Sequence, residues 1–200
     1  LATGKSELLF SLAQADAVPN PENDTRGLKH WFNHLLVAPD GKRVAASSFG
    51  SNVLDTKVRI FDAETGKEFA ALEGHTSPPT ALAYNPTGSR LASGDREGSV
   101  RVWDPEAKKE VFAAQVLGGL GQNQITGVAF ADDGKTLAVA IHQGGGRIWD
   151  VEQKFELPAH KAGGSTAGVA FRPGGEQLAV LMEDGSLVLP PVKSSRPPIT

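Results

Sequence analysis

Short apolar runs alternate with tight polar turns along most of this chain. Leu91 to Asp104, LASGDREGSVRVWD, predicts two strands around a turn at Asp95 to Ser99, ending in a Trp-Asp pair. The pattern returns as LAVAIHQGGGRIWD (137–150), as VAASSFGSNVLDTKVRIFD (44–62), and more faintly as LAVLMEDGSLVLPP (178–191). Upstream of each copy lies a second shared element: LLVAPDGKRV, LAYNPTGSRL, VAFADDGKTL and VAFRPGGEQL. Each is an apolar strand, a Pro/Asp/Gly turn and the start of the next strand, and the whole unit recurs at roughly 40 to 47 residues. LAVAI and LAVLM are apolar on both faces, which predicts sheets covered on both sides.

In period, turn chemistry and Trp-Asp ending, the four units resemble the WD40 repeat over residues 28–192. The resemblance implies an all-β architecture: a β-propeller of four-stranded antiparallel blades, strands a to d from centre to rim, or a four-blade portion of a larger one. The expected units are 31–72, 75–116, 124–157 and 160–192, the last with three strands because Pro190 and Pro191 stand where Trp-Asp would be. Residues 1–12 match the segment after Phe61-Asp62 and predict the outer strand of a preceding or closing blade. Residues 13–30 predict a long loop, and 193–200 an extended Pro-rich tail. Two readings stay open. The chain is the C-terminal part of a longer propeller, or 1–12 supplies the missing outer strand of the fourth unit. An open ring would need further blades of the same chain or a second copy.

With 23 Gly and 13 Pro, the composition suits many short strands and turns. The formal charge of -3 carries no basic surplus, so no nucleic-acid partner is expected. Without Cys, disulfides, thiolate metal sites and cysteine nucleophiles are excluded. No apolar run approaches a transmembrane helix, and the start is not that of a signal peptide, so a soluble chain of unassigned compartment is expected.

The resemblance also implies a buried network of His, Ser, Asp and Trp tying the d-a loop to strands b and c. On the second unit the carried-over residues are His75, Ser93 and Trp103, with Glu97 at the place of the Asp. The first unit has Asp55 but Phe61, the third Trp149 but Gln143, the fourth His160 and Asp184 but Pro190, so no copy is expected to be complete. These roles are structural, and no catalytic, cofactor or metal residue is expected. His30 and His34 stand four apart, but the Glu of a zinc protease is missing beside the first. Gly4-Lys5-Ser6 is explained by its repeat mate Gly66-Lys67-Glu68 as a turn. The irregular stretches 13–30, 48–54 and 117–123 all fall at the end carrying the d-a and b-c loops. Contact residues are therefore sought there: Arg26, Lys29, Trp31, His34, Phe49, Arg96, Gln122 and His142. The resemblance implies a non-catalytic scaffold for protein or peptide partners. The alternative is an accessory or sensor domain of a larger protein, such as a bacterial enzyme or signalling protein.

Overall fold

The computed structural model describes residues 32–48, 55–116, 123–157, 164–174, 177–190 and 192, and every regular element among them is a strand. They form four antiparallel sheets in chain order. The first contains β1 (Phe32–Val37), β2 (Arg43–Ser48), β3 (Val58–Asp62) and β4 (Glu68–Leu72). The second contains β5 (Pro79–Tyr84), β6 (Leu91–Asp95), β7 (Ser99–Asp104) and β8 (Lys109–Gln115). The third contains β9 (Ile125–Phe130), β10 (Thr136–Ile141), β11 (Gly145–Asp150) and β12 (Phe155–Leu157). The fourth has three strands, β13 (Thr166–Phe171), β14 (Leu178–Met182) and β15 (Leu187–Val188). Each is a meander, so local hairpins alone set the order within a sheet.

The turn between the first two strands of each sheet repeats one solution. Gly41, Gly88, Gly134 and Gly174 occupy it with φ of 72, 74, 68 and 97°, a conformation that costs a residue with a Cβ but not glycine. Side chains brace the same turns: Asp40 accepts the Lys42 N–H, Asn85 that of Arg90, and Asp133 those of Lys135 and Thr136. At the Trp-Asp and Phe-Asp endings, Asp62, Asp104 and Asp150 accept backbone N–H groups of the turn that follows. Across the outer strand pairs, Arg59 meets Glu68, Arg101 meets Glu110 and Arg147 meets Glu156. The fourth sheet lacks this rung, because the register that pairs Ser93 with Arg101 pairs Val180 with Val188.

Successive sheets lie face to face. Ala45, Val58, Ile60 and Leu72 of the first meet Leu91 and Trp103 of the second. Val100, Val102 and Phe112 meet Leu137, Val139, Ile141 and Trp149 of the third, while Ala138 and Ile148 meet Leu178, Val180 and Met182 of the fourth. Burial of both faces explains the two-sided apolar strands. The first strand of every sheet carries a register shift at the same place, before His34, Ala81, Gly127 and Gly168. In two sheets the displaced residue is a threonine that reaches the next sheet: Thr80 donates to Ile125 O at 2.6 Å and Thr126 to Thr166 O at 2.7 Å.

Candidate functional site

Side chains on β6 alternate between faces, so Leu91, Ser93 and Asp95 point the same way, toward the first sheet. Trp103 on β7 is opposite Leu91 on that face. His75 enters from the link between β4 and β5. Its Nε2 lies 2.7 Å from Ser93 Oγ and its Nδ1 lies 2.8 Å from Asp95 Oδ2. Trp103 Nε1 donates to Ser93 Oγ at 2.8 Å. Asp95 Oδ1 accepts the backbone N–H groups of Glu97 at 3.0 Å and Ser99 at 2.8 Å. Ser93 and Asp95 are fully buried, and His75 and Trp103 nearly so.

Donor and acceptor inventory assigns the protons. A carboxylate only accepts, so His75 carries its hydrogen on Nδ1. The indole only donates, so Ser93 accepts from it, and beside a neutral imidazole its own hydrogen goes to His75 Nε2. The chain Trp103, Ser93, His75, Asp95 is then satisfied with a neutral imidazole. The atoms are those of a Ser-His-Asp nucleophile, but Ser93 has no exposed surface for a substrate to reach. The work done is structural: one link and three strand positions are fixed together.

This corrects the expectation from sequence in one residue. The acid is Asp95, not Glu97, and the second unit's network is complete. Glu97 is exposed across the turn, with Thr76 Oγ1 at 3.5 Å from its carboxylate. The missed signal was the two-residue spacing of Ser93 and Asp95, which puts them on one face of one strand. At those two register positions the third sheet has Val139 and Ile141 and the fourth Val180 and Met182, so no such network forms there. Trp149 is instead buried among apolar side chains between the second and third sheets. Asp55 holds Arg59 at 3.1 Å and the Lys57 N–H at 3.1 Å. Asp184 is an exposed turn residue whose pKa is lowered by Ser186, through its side chain and its backbone N–H.

Of the candidate contact residues, Arg96 is exposed in the turn between β6 and β7. His142 occupies the equivalent turn of the third sheet, its Nδ1 2.6 Å from Glu183 Oε1 in the fourth. His34 is half-buried on β1, and burial lowers its pKa. Arg26, Lys29, Trp31, Phe49, Gln122 and His160 lie outside the described residues. So do most of the three irregular stretches. At the opposite end, a cleft of about 210 Å³ opens between the second and third sheets beside Arg90, Asp133, Lys135 and Glu152. Arg90 is already paired with Asp104 and Lys135 with Glu152, so this cleft presents no uncompensated charge from either cation. Among the described residues, no group of three or more His, Cys, Asp or Glu could hold a metal ion, and no helix is long and apolar enough to cross a membrane.

A model of the family "WD domain, G-beta repeat" matches residues 66–104. The match runs from the outer strand of the first sheet through β7, taking in the whole buried network. The chain contains a WD40 repeat at residues 66–104. Its sheets are WD40 blades, and the matched unit straddles two of them. Similar proteins include the Target of rapamycin complex subunit wat1 of Schizosaccharomyces pombe, 35% identical over 38% of this chain and 23% of that protein. Coronin-7 of Mus musculus is 39% identical over 32% of this chain and 7% of its own length. The WD repeat and HMG-box DNA-binding protein 1 of Xenopus laevis is 34% identical over 42% and 7%. The matched part of the WD40 chain thus spans less than a quarter of each of these relatives.

Proposed function

We propose that this chain is a non-catalytic protein-interaction scaffold whose contacts lie on the blade end carrying the d-a and b-c loops. The observation that carries the reading is where the blades differ. At the other end, turns of one design recur with their acids engaged by backbone N–H groups. At the proposed end the b-c link varies, from the tight turns Asp95 to Ser99 and Ile141 to Gly145 to the longer Ser48 to Val58. A scaffold keeps its turns uniform where nothing binds and diversifies them where partners are distinguished. One relative is by name a subunit of a complex, which suits this role.

The relatives' much greater length supports a second reading, in which these blades are an accessory or sensor part of a larger protein. A nucleic-acid partner stays within the test, because one relative is by name a DNA-binding protein. The experiment places a photo-crosslinking residue at Arg96 or His142, and separately at Lys42 or Glu152 on the opposite end. Capture of one defined protein from the first pair only supports the proposal. Capture from the second pair, from both alike, or of nucleic acid in place of protein overturns it.

A further inference from the structure

The turns that join the first two strands of the first, second and third sheets share one backbone frame. In each, a glycine N–H bonds to a carbonyl three residues earlier: Gly41 to Ala38, Gly88 to Asn85 and Gly134 to Ala131. The residue before the glycine is an acid in two of the three. Asp40 accepts the Lys42 N–H at 2.9 Å, and Asp133 accepts the Lys135 N–H at 2.8 Å. In the second sheet this position is Thr87, which is exposed. Its hydroxyl donates to Asn85 Oδ1 at 3.4 Å and lies 2.8 Å from Ser89 Oγ. The Ser89 N–H, counterpart of those of Lys42 and Lys135, has no acceptor among the described residues.

Asn85 does part of the acid's work in this turn. Its Oδ1 accepts the Arg90 N–H at 2.9 Å, as Asp133 accepts that of Thr136. The second turn therefore keeps the frame of its sisters and one spare N–H, but it lacks their anion. Thr87 lines the cleft of about 210 Å³ between the second and third sheets, together with Arg90. Arg90 Nη1 serves both Ser89 O and Asp104, which leaves Nε and Nη2 without a partner among the described residues. Asp132, Asp133 and Glu152 line the same cleft, and Glu152 holds Lys135 at 2.9 Å. An anion at Thr87 must therefore be held by the Ser89 N–H and Arg90, away from those acids.

We propose that Thr87 is a phosphorylation site, and that its phosphate supplies the anion that Asp40 and Asp133 supply in the sister turns. In the transfer, Thr87 Oγ1 bonds to the γ-phosphorus of a nucleoside triphosphate and gives its proton to a base of the protein kinase. The bond from that phosphorus to the β-phosphate oxygen breaks, and nucleoside diphosphate leaves. The attached group brings a charge of about -1.5 to -2 at pH 7 and three acceptor oxygens to a turn with an unused N–H and an under-used guanidinium. The neighbouring Ser89 hydroxyl is not the acceptor of the phosphoryl group, because Ser89 stands in the register of Lys42 and Lys135, where the sister turns carry cations.

The test incubates the chain with γ-labelled ATP, magnesium and a soluble extract of its own source cells, and locates the label by peptide mass spectrometry. Label at Thr87 is expected, lost in Thr87→Ala and kept in Thr87→Ser and Ser89→Ala, with far-UV circular dichroism showing each variant folded. A chain that takes no label, or one that keeps it in Thr87→Ala, overturns the proposal. The seat of the phosphate is read on chain synthesised with phosphothreonine at position 87. The Ser89 amide proton should move downfield at pH 7.5 and return as the phosphate gains a proton near about pH 6. An amide that ignores the phosphate, or one that does not follow its titration, overturns the likeness to Asp40 and Asp133.

Discussion

Replacing Ser93 by alanine tests the buried network at its centre. The hydroxyl serves two partners, accepting the Trp103 indole N–H at 2.8 Å and lying 2.7 Å from His75 Nε2. Alanine leaves both without a partner in a site that solvent does not reach. A buried polar group left unsatisfied costs about 1–3 kcal/mol, so Ser93→Ala should destabilise the chain by about 2–6 kcal/mol. With a urea dependence of about 2 kcal/mol/M, the unfolding midpoint should fall by about 1–3 M. Asp95→Asn should cost about 1–3 kcal/mol, since its amide faces the Nδ1 hydrogen and forces the other imidazole tautomer. Glu97→Ala, at an exposed turn position, should stay within about 0.5 kcal/mol of wild type. Urea unfolding followed by circular dichroism ranks the three. A midpoint for Ser93→Ala equal to wild type, or a Glu97 variant as damaged as the Asp95 one, would refute the assignment of the acid and the bookkeeping behind it.

Other consequences are as direct. A Cβ on Gly94 would come within 2.3 Å of Ile125 Cγ2 in the next blade, so Gly94→Ala should lose about 1–3 kcal/mol in the same urea assay, and a neutral result would mean that this junction yields freely. Tyr84 is the single tyrosine, and burial first, with Asp40 nearby, pushes its phenol up to about 12. Absorbance at the phenolate band should then rise near pH 12 in the native chain but near about 10 in urea. A raised folded pKa means that this contribution to stability is complete below the unfolded value and is lost as pH climbs toward 12. Native titration near 10 would show the ring to be solvated. Tyr84 Oη has no partner among the described residues, so Tyr84→Phe should be neutral or gain up to about 1 kcal/mol by thermal unfolding, and a clear loss would reveal a bond the hydroxyl makes. For Asp133, burial works to raise the pKa, but the N–H groups of Thr136 and Lys135 and the Thr136 hydroxyl outweigh it and hold it low. Its contribution is present above the unfolded value of about 4 and is lost as pH falls below that, so Asp133→Asn and wild type should converge in stability by about pH 2. A gap that persists there would assign the loss to something other than ionisation.

The described strands, their order within each sheet and the acids of the Asp-Gly turns and Trp-Asp endings were legible in the chain read alone. These depend on interactions within about fifteen residues: alternation of side chains on a strand, glycine at a left-handed turn position, and carboxylates bonding to backbone N–H groups two or three residues on. Two prolines after Leu189 likewise marked the weakened fourth sheet. Tertiary structure decided what depends on distant partners. Asp95 and Glu97 are both acids beside the same turn. Only the arrival of His75, twenty residues earlier in the chain, on the Ser93 face selects Asp95. Trp103 and Trp149 end similar sequences, yet one is bonded to serine and the other sits among apolar side chains, because the facing strand holds Ser93 in one blade and Val139 in the other. The same holds for Val100 and Leu187, equivalent in register: the first is buried because a further sheet covers it, and the second is exposed because none of the described strands does. Burial is a property of the neighbour as much as of the residue, and no local pattern encodes the neighbour.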